Sequence, residues 1–486
     1  MQWGIRTRVR SALRRMLVIN SYPRYWVLSL LCFASLLTWV ANSAFAASGG
    51  DAVLRWNEVA VQAVVDDHSG TFAAPDQGGP TRTARALGIV QIAVYDAVNA
   101  IDGTYMPYLP VAAPTAGASL EAAVAQAAHD ALVTMFPAQT AVFDRELAKV
   151  LRGVPVGKSR AAGVMVGAES AASILAARAA DGSLAGNTPI YPPTAFPPNP
   201  GEHQPDPLNP LQGLLTPGWG QVDTFTGIDV TSAGIRIPAP PLLGGAAYAS
   251  AFNDVAQLGG DGVITPTSRT PEQTDIGLFW AYDGTSELGT PLVLYNRIVQ
   301  VLARKQQNSL VENARLFALV NIAMADAGIA CWDGKYFYNL WRPIIGIRNA
   351  ATDGNSSTTQ VSTWTPLGAP ASNQSGIDFT PPFPAYSSGH ATFGAAMFRT
   401  LANFYDTDAI SFRLKSDELS GRTTDSQGNH RQTVVRRFES FSSASVENAR
   451  SRIYLGIHWQ FDADAGIDQG NEIADFAFAN LLLPLP

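Results

Sequence analysis

The stretch ARLFALVNIAMADAGIACWDGKY, residues 314–336, decides the fold. It is apolar over more than five helical turns, alanine-rich and free of proline, so its periodicity predicts a long buried helix. An earlier stretch, ARALGIVQIAVYDAVNAIDGTY (residues 84–105), repeats it once a single residue is inserted. Ala84/Ala314, Arg85/Arg315, Val90/Val320, Ile92/Ile322, Ala93/Ala323 and Asp96/Asp326 coincide, and both copies end in Asp-Gly-x-Tyr. The shared ending favours a duplication over chance likeness between alanine-rich helices.

Further helix-period segments lie at 118–136, 159–181 and 291–306. Alternating β-branched runs are few, RQTVVRRFE (431–439) being the best of them. The expected fold is therefore all-α, with two related helical bundles packed together and long Pro/Gly-rich loops. The bundles are expected at residues 47–185 and 246–486, joined by a proline-dense connection at 186–245 that is poorly suited to helix or central strand. A second Pro/Gly/Ser-rich stretch spans 351–386.

Residues 1–46 read as a signal peptide. An arginine-rich, acid-free lead precedes the apolar run Trp26–Val40, and Ala44-Phe45-Ala46 has the A-x-A form of a cleavage site. The alternative is an uncleaved N-terminal anchor. Cleavage would export the chain to the periplasm or outside the cell, with no remaining membrane attachment. The full chain carries a formal charge of −7, and loss of the basic lead makes it more acidic, which argues against a nucleic-acid partner. One of the two cysteines, Cys32, lies in that leader. Cys331 then has no intramolecular disulfide partner and reads as a small buried apolar residue.

Three segments of the second half concentrate chemistry. KYFYNLWRP (335–343) sets Lys335 and Arg342 seven apart among aromatic residues; the spacing predicts one helical face with both cations converging on an anion. In PPFPAYSSGHATFGAAMF (381–398), Ser388-Gly389 falls where a helix should start, with His390 in its first turn. A helix N-terminus offers free N–H groups to an anion, and the serine hydroxyl can cap or donate. In SRIYLGIHWQFD (451–462), Asp462 lies four beyond His458, so its carboxylate can take Nδ1 and leave Nε2 available. Arg452 joins them only if it curls round or if a helix boundary falls between the two residues.

This three-part pattern, K-x6-R-P, then S-G-H, then S-R-x5-H-x3-D, resembles the signature of the vanadium-dependent haloperoxidases. These share a superfamily with type-2 phosphatidic acid phosphatases and bacterial class A acid phosphatases. The resemblance implies that His458 binds the metal of vanadate. Lys335, Arg342, Arg452, Ser388 and Gly389 would hold its oxygens, and His390 would act as general acid/base. Trp332 and Phe383 resemble the halide-pocket aromatics of the chloroperoxidase type. The family usually has proline before Ser-Gly-His, where this chain has Ser387. The implied reaction oxidises halide with hydrogen peroxide to hypohalous acid, with a small organic molecule as a further acceptor. Phosphate fits the same cage, so a phosphatase with His458 as nucleophile is the alternative. A non-catalytic oxyanion-binding protein is a third reading.

Overall fold

In the computed structural model the described residues are 51–71, 74–114, 117–187, 198–232 and 235–486. The leader, its Ala44-Phe45-Ala46 site and Cys32 lie outside them. Asp51–Pro486 form one unit, and its described part is mostly helical. Five helices fill the first half: α1 (Ala52–Asp67), α2 (Pro80–Asp102), α3 (Leu120–Met135), α4 (Thr140–Gly153) and α5 (Lys158–Ala177). The second half holds α6 (Ala246–Leu258), α7 (Pro271–Phe279), α8 (Pro291–Gln306), α9 (Leu310–Tyr338), α10 (Pro343–Arg348), α11 (Gly389–Tyr405), α12 (Phe441–Tyr454) and α13 (Gln460–Asn480). An antiparallel hairpin, β1 (Phe412–Ser420) and β2 (Thr433–Phe438), pairs Phe412 with Phe438; β2 lies within the best strand-like run of the sequence.

The deciding stretch lies in α9. Ser309 and Glu312 close a reciprocal box at its start, the Ser309 hydroxyl accepting from Glu312 N and the Glu312 carboxylate from Ser309 N. Every residue from Asn313 to Tyr336 is buried, as expected of a helix apolar on all sides. α2 and α9 are both long and apolar enough to cross a bilayer, yet here they pack against each other within the protein core.

The internal repeat has a structural counterpart. Buried Asp96 in α2 accepts from the backbone N–H groups of Tyr108 (2.7 Å) and Leu109 (2.9 Å). Buried Asp326 in α9 does the same for Phe225 (2.6 Å) and Thr226 (2.9 Å), and also accepts from the Thr226 hydroxyl. In each copy a helical carboxylate caps two consecutive amides of a loop that would otherwise be buried without acceptors.

One apolar cluster runs through both halves, from Val53 in α1 to Ile473 in α13. A second gathers round Trp341, Trp364 and Trp459. α11 and α13 cross closely because Gly466 and Gly470 leave room for backbone; a Cβ on Gly470 would collide with Thr392 O.

The described part of the proline-rich connection is a wall rather than a loose tether. Leu215 N donates to Pro382 O (3.0 Å), and Leu215 O accepts from Trp332 Nε1 (3.2 Å) and Tyr336 Oη (3.0 Å). It thereby ties the first half of the chain to the end of α9.

Candidate oxyanion site

Lys335 and Arg342 do not share a helix. α9 ends at Tyr338, and Asn339 adopts a left-handed conformation (φ 50°) with its N–H returned to Lys335 O. Asparagine tolerates this conformation, and Pro343 then opens α10 at its preferred first position with Arg342 as the preceding cap residue. The cations converge across the break: Lys335 Nζ lies 4.9 Å and the Arg342 guanidinium 4.8 Å from the centre of the Phe383 ring.

Both are fully buried, and burial pulls Lys335 down to about 7 and Arg342 down to about 9. Lys335 donates to the carbonyls of Pro384, Ala385 and Ser387, so its ammonium also clamps the turn that precedes α11. Arg342 donates through Nε to Phe383 O (2.9 Å) and through Nη1 to Ile457 O and His458 Nε2 (2.8 Å each).

That last bond fixes the imidazole. Nε2 faces a guanidinium that only donates, so it carries a lone pair, and the proton is on Nδ1, which donates to Asp462 Oδ2 at 2.8 Å. Asp462 Oδ2 also accepts from Trp459 N. Burial, then Arg342, Lys335 and Arg452, hold the His458 pKa well below its ordinary value, whereas burial pushes Asp462 up to about 7. The expected Nδ1–carboxylate pairing is present; Nε2, expected to be free, is occupied by Arg342. His458 lies in a turn between α12 and α13, and this helix break brings Arg452, six residues earlier, onto the same cavity. Gly456 makes the turn possible, with φ 74° and no space for a Cβ beside Gly259 O.

Ser388 caps α11 by position, but its hydroxyl makes no capping bond; its N–H donates to Asp462 O at 2.9 Å. His390, in the first turn, donates from Nε2 to Ala281 O at 2.6 Å, which leaves Nδ1 as its basic nitrogen. Burial and then Arg452 lower the His390 pKa to about 4. Arg452 gives Nη2 to both oxygens of Asp283, at 2.6 and 2.8 Å.

Asp283, His390, Arg452 and His458 border a cavity of about 510 Å³, whose lining also includes Trp332, Phe383 and Gly389; Lys335 and Arg342 stand behind Phe383 and His458 rather than on its surface. Trp332 and Phe383 pack together with ring centres 4.9 Å apart. Among the described residues, four buried donor atoms of this group have no partner: Ser388 Oγ, Arg342 Nη2, Arg452 Nε and Arg452 Nη1. Leaving a donor buried and unpaired costs about 1–3 kcal/mol, and more for charged groups. A tetrahedral oxyanion supplies acceptors for all four, so the residues present fit vanadate or phosphate.

Spacing gave no sign of three further groups. Asp283 enters from the loop after α7, a single carboxylate in an unremarkable AYDG stretch. Ala281 contributes only a carbonyl. His203, in the proline-rich connection, donates its backbone N–H to Asn339 O; its Nδ1 has no partner, and burial with Arg342 and Lys335 lowers its pKa to about 3. Its place among six histidines was the only available hint. Cys331 is buried and free, near Ser387, whose hydroxyl reaches Gln469 Oε1 at 3.3 Å.

Residues 315–483 match the family profile described as the VCPO second helical-bundle domain. Over 257 residues, 46% of its length, the chain is 40% identical to vanadium chloroperoxidase of Curvularia inaequalis; it spans 41% of the length of that relative. The fold is similar to the crystal structure of a bacterial vanadium-dependent iodoperoxidase, with TM-score 0.71 and 24% identity over 88% of this chain and 97% of that one. An apo-type bacterial vanadium-dependent chloroperoxidase gives TM-score 0.65 and 18% identity over 85% and 95%. The matched stretch holds every motif residue from Trp332 to Asp462, so the similarity of this chain to vanadium chloroperoxidase falls on the part that carries the site.

Proposed function

We propose that the protein is a vanadium-dependent haloperoxidase that oxidises halide with hydrogen peroxide to hypohalous acid. The observation that carries this reading is the set of four unpartnered buried donors grouped with the imidazole of His458. Bound vanadate would supply Lewis-acid activation of peroxide toward halide. Arg342 and Arg452 would neutralise its oxygens and, with the Ser388 hydroxyl, orient them as preorganised donors. Asp462 holds the His458 tautomer that presents Nε2, the nitrogen that would hold the metal of vanadate and that now accepts from Arg342. His390, neutral above pH about 4, can accept a proton from peroxide at Nδ1. The packed rings of Trp332 and Phe383 offer a weakly hydrated wall for a large anion.

The Nε2 lone pair of His458 would equally serve a phosphatase, so the decisive experiment runs both assays on one preparation. Vanadate-dependent oxidation of chloride, bromide or iodide, lost in His458→Ala and suppressed by phosphate, is the expected result. Phosphate-ester hydrolysis inhibited by vanadate, without halide oxidation, would overturn it. Export is part of the proposal and rests on the arginine-rich lead and the A-x-A site. N-terminal sequencing of the mature protein tests it, with a new terminus after Ala46 expected.

A further inference from the structure

The loop Ala281–Asp283 touches the site twice. Ala281 O accepts from His390 Nε2, and the Asp283 carboxylate holds Arg452. Between them Tyr282 sits at φ 48°, a left-handed conformation that a bulky residue keeps only where its surroundings impose it. The hairpin imposes it from outside the cavity. Tyr282 N donates to Glu418 Oε1 (3.2 Å), and the adjacent Asp417 N donates to the Tyr282 hydroxyl (2.7 Å). Glu418 is itself fully buried, and its Oε2 accepts from Ser372 Oγ (2.6 Å) and from Arg431 Nη1. Neither Glu418 nor Asp417 lines the cavity bordered by His390, Arg452 and His458.

We infer that Glu418 is a positioning residue: by gripping Tyr282 it aims the Ala281 carbonyl at His390 and the Asp283 carboxylate at Arg452. The inference rests on the reading of the cavity as an oxyanion site. In Glu418→Gln one oxygen can still face Tyr282 N, but an amide N–H then opposes the Arg431 donor and the anionic partner of that guanidinium is gone, so the side chain loses its anchor and the grip on Tyr282 loosens while the volume is kept.

Two readouts on the vanadate-free protein test this. Ring ¹⁵N NMR should show His390 in the wild type as the single tautomer with Nε2 protonated, and Glu418→Gln should mix the tautomers. Calorimetric titration with sulfate should show affinity lower by roughly tenfold, the lower end for loss of an outer support. Ser372→Ala, a gentler change, should move both readouts the same way by less, and it serves if Glu418→Gln does not fold. Phe412→Leu, a buried hairpin change away from Tyr282, is the control for general loosening. Unchanged tautomer and sulfate affinity in Glu418→Gln and Ser372→Ala would overturn the inference, as would equal shifts in Phe412→Leu. A wild type that binds sulfate but oxidises no halide would overturn the proposed reaction and leave this result standing.

Discussion

At the scale of single residues, the site is a balance between a buried imidazole and the groups that orient it. Asp462→Ala leaves the His458 Nδ1–H buried without its acceptor. The expected cost is about 1–3 kcal/mol in unfolding free energy. Roughly 10- to 100-fold in vanadate affinity should go with it, since the wrong tautomer then becomes accessible. Denaturant melts and calorimetry measure the two effects separately. Lys335 gives a pH signature. A base whose pKa has fallen to about 7 is charged below that pH and neutral above it, so the cage loses a positive charge as pH rises. Sulfate keeps its charge over this range. Its affinity should weaken as pH climbs from 7 towards 9, with the midpoint shifted upward by the bound anion, and Lys335→Gln should flatten the curve. The sequence disclosed these groups through motif spacing, because His458 and Asp462 sit four apart across a helix start where spacing and contact agree. It could not disclose Asp283 or Glu418. Each acts alone from a distant loop or strand, and only the folded backbone sets its aim.

At the scale of elements, breaks in helices matter as much as the helices. Reading 335–343 as one helix failed because the run stays apolar through Trp341 while Asn339 reverses the backbone; a single left-handed residue leaves no mark on hydrophobic periodicity. The start of α11 was legible, because a proline-rich turn followed by Ser-Gly announces it. The turn after α12 tests the same principle. Gly456→Ala puts a Cβ at positive φ against a carbonyl, so it should cost more than the ~1 kcal/mol of a simple left-handed penalty and displace His458. A lowered melting temperature together with lost sulfate binding is the expected outcome.

At the scale of the whole molecule, the echo between 84–105 and 314–336 marks two helices with matching duties, each carrying a buried carboxylate that caps a loop. Asp326→Ala removes the acceptor for three donors at once. It should destabilise the protein by several kcal/mol on the scale of about 1–3 kcal/mol for each stranded group. Asp96→Ala, which strands two, should cost less, and chemical denaturation of both variants checks the order. Mostly helical architecture was legible from composition and period. The closure of the proline-rich connection onto α9 was not, since carbonyls make those bonds and carbonyls are silent in a sequence.

That closure has a practical consequence for anyone dividing the chain. A fragment cut to residues 315–483 would inherit each histidine and arginine of the motifs, yet it would lack the Leu215 carbonyl that seats Trp332 and the Asp283 carboxylate that steadies Arg452. Such an excised half would keep the letters of the candidate site but neither its roof nor one of its struts. Grafting this chemistry onto a smaller scaffold would therefore have to begin by rebuilding the missing wall.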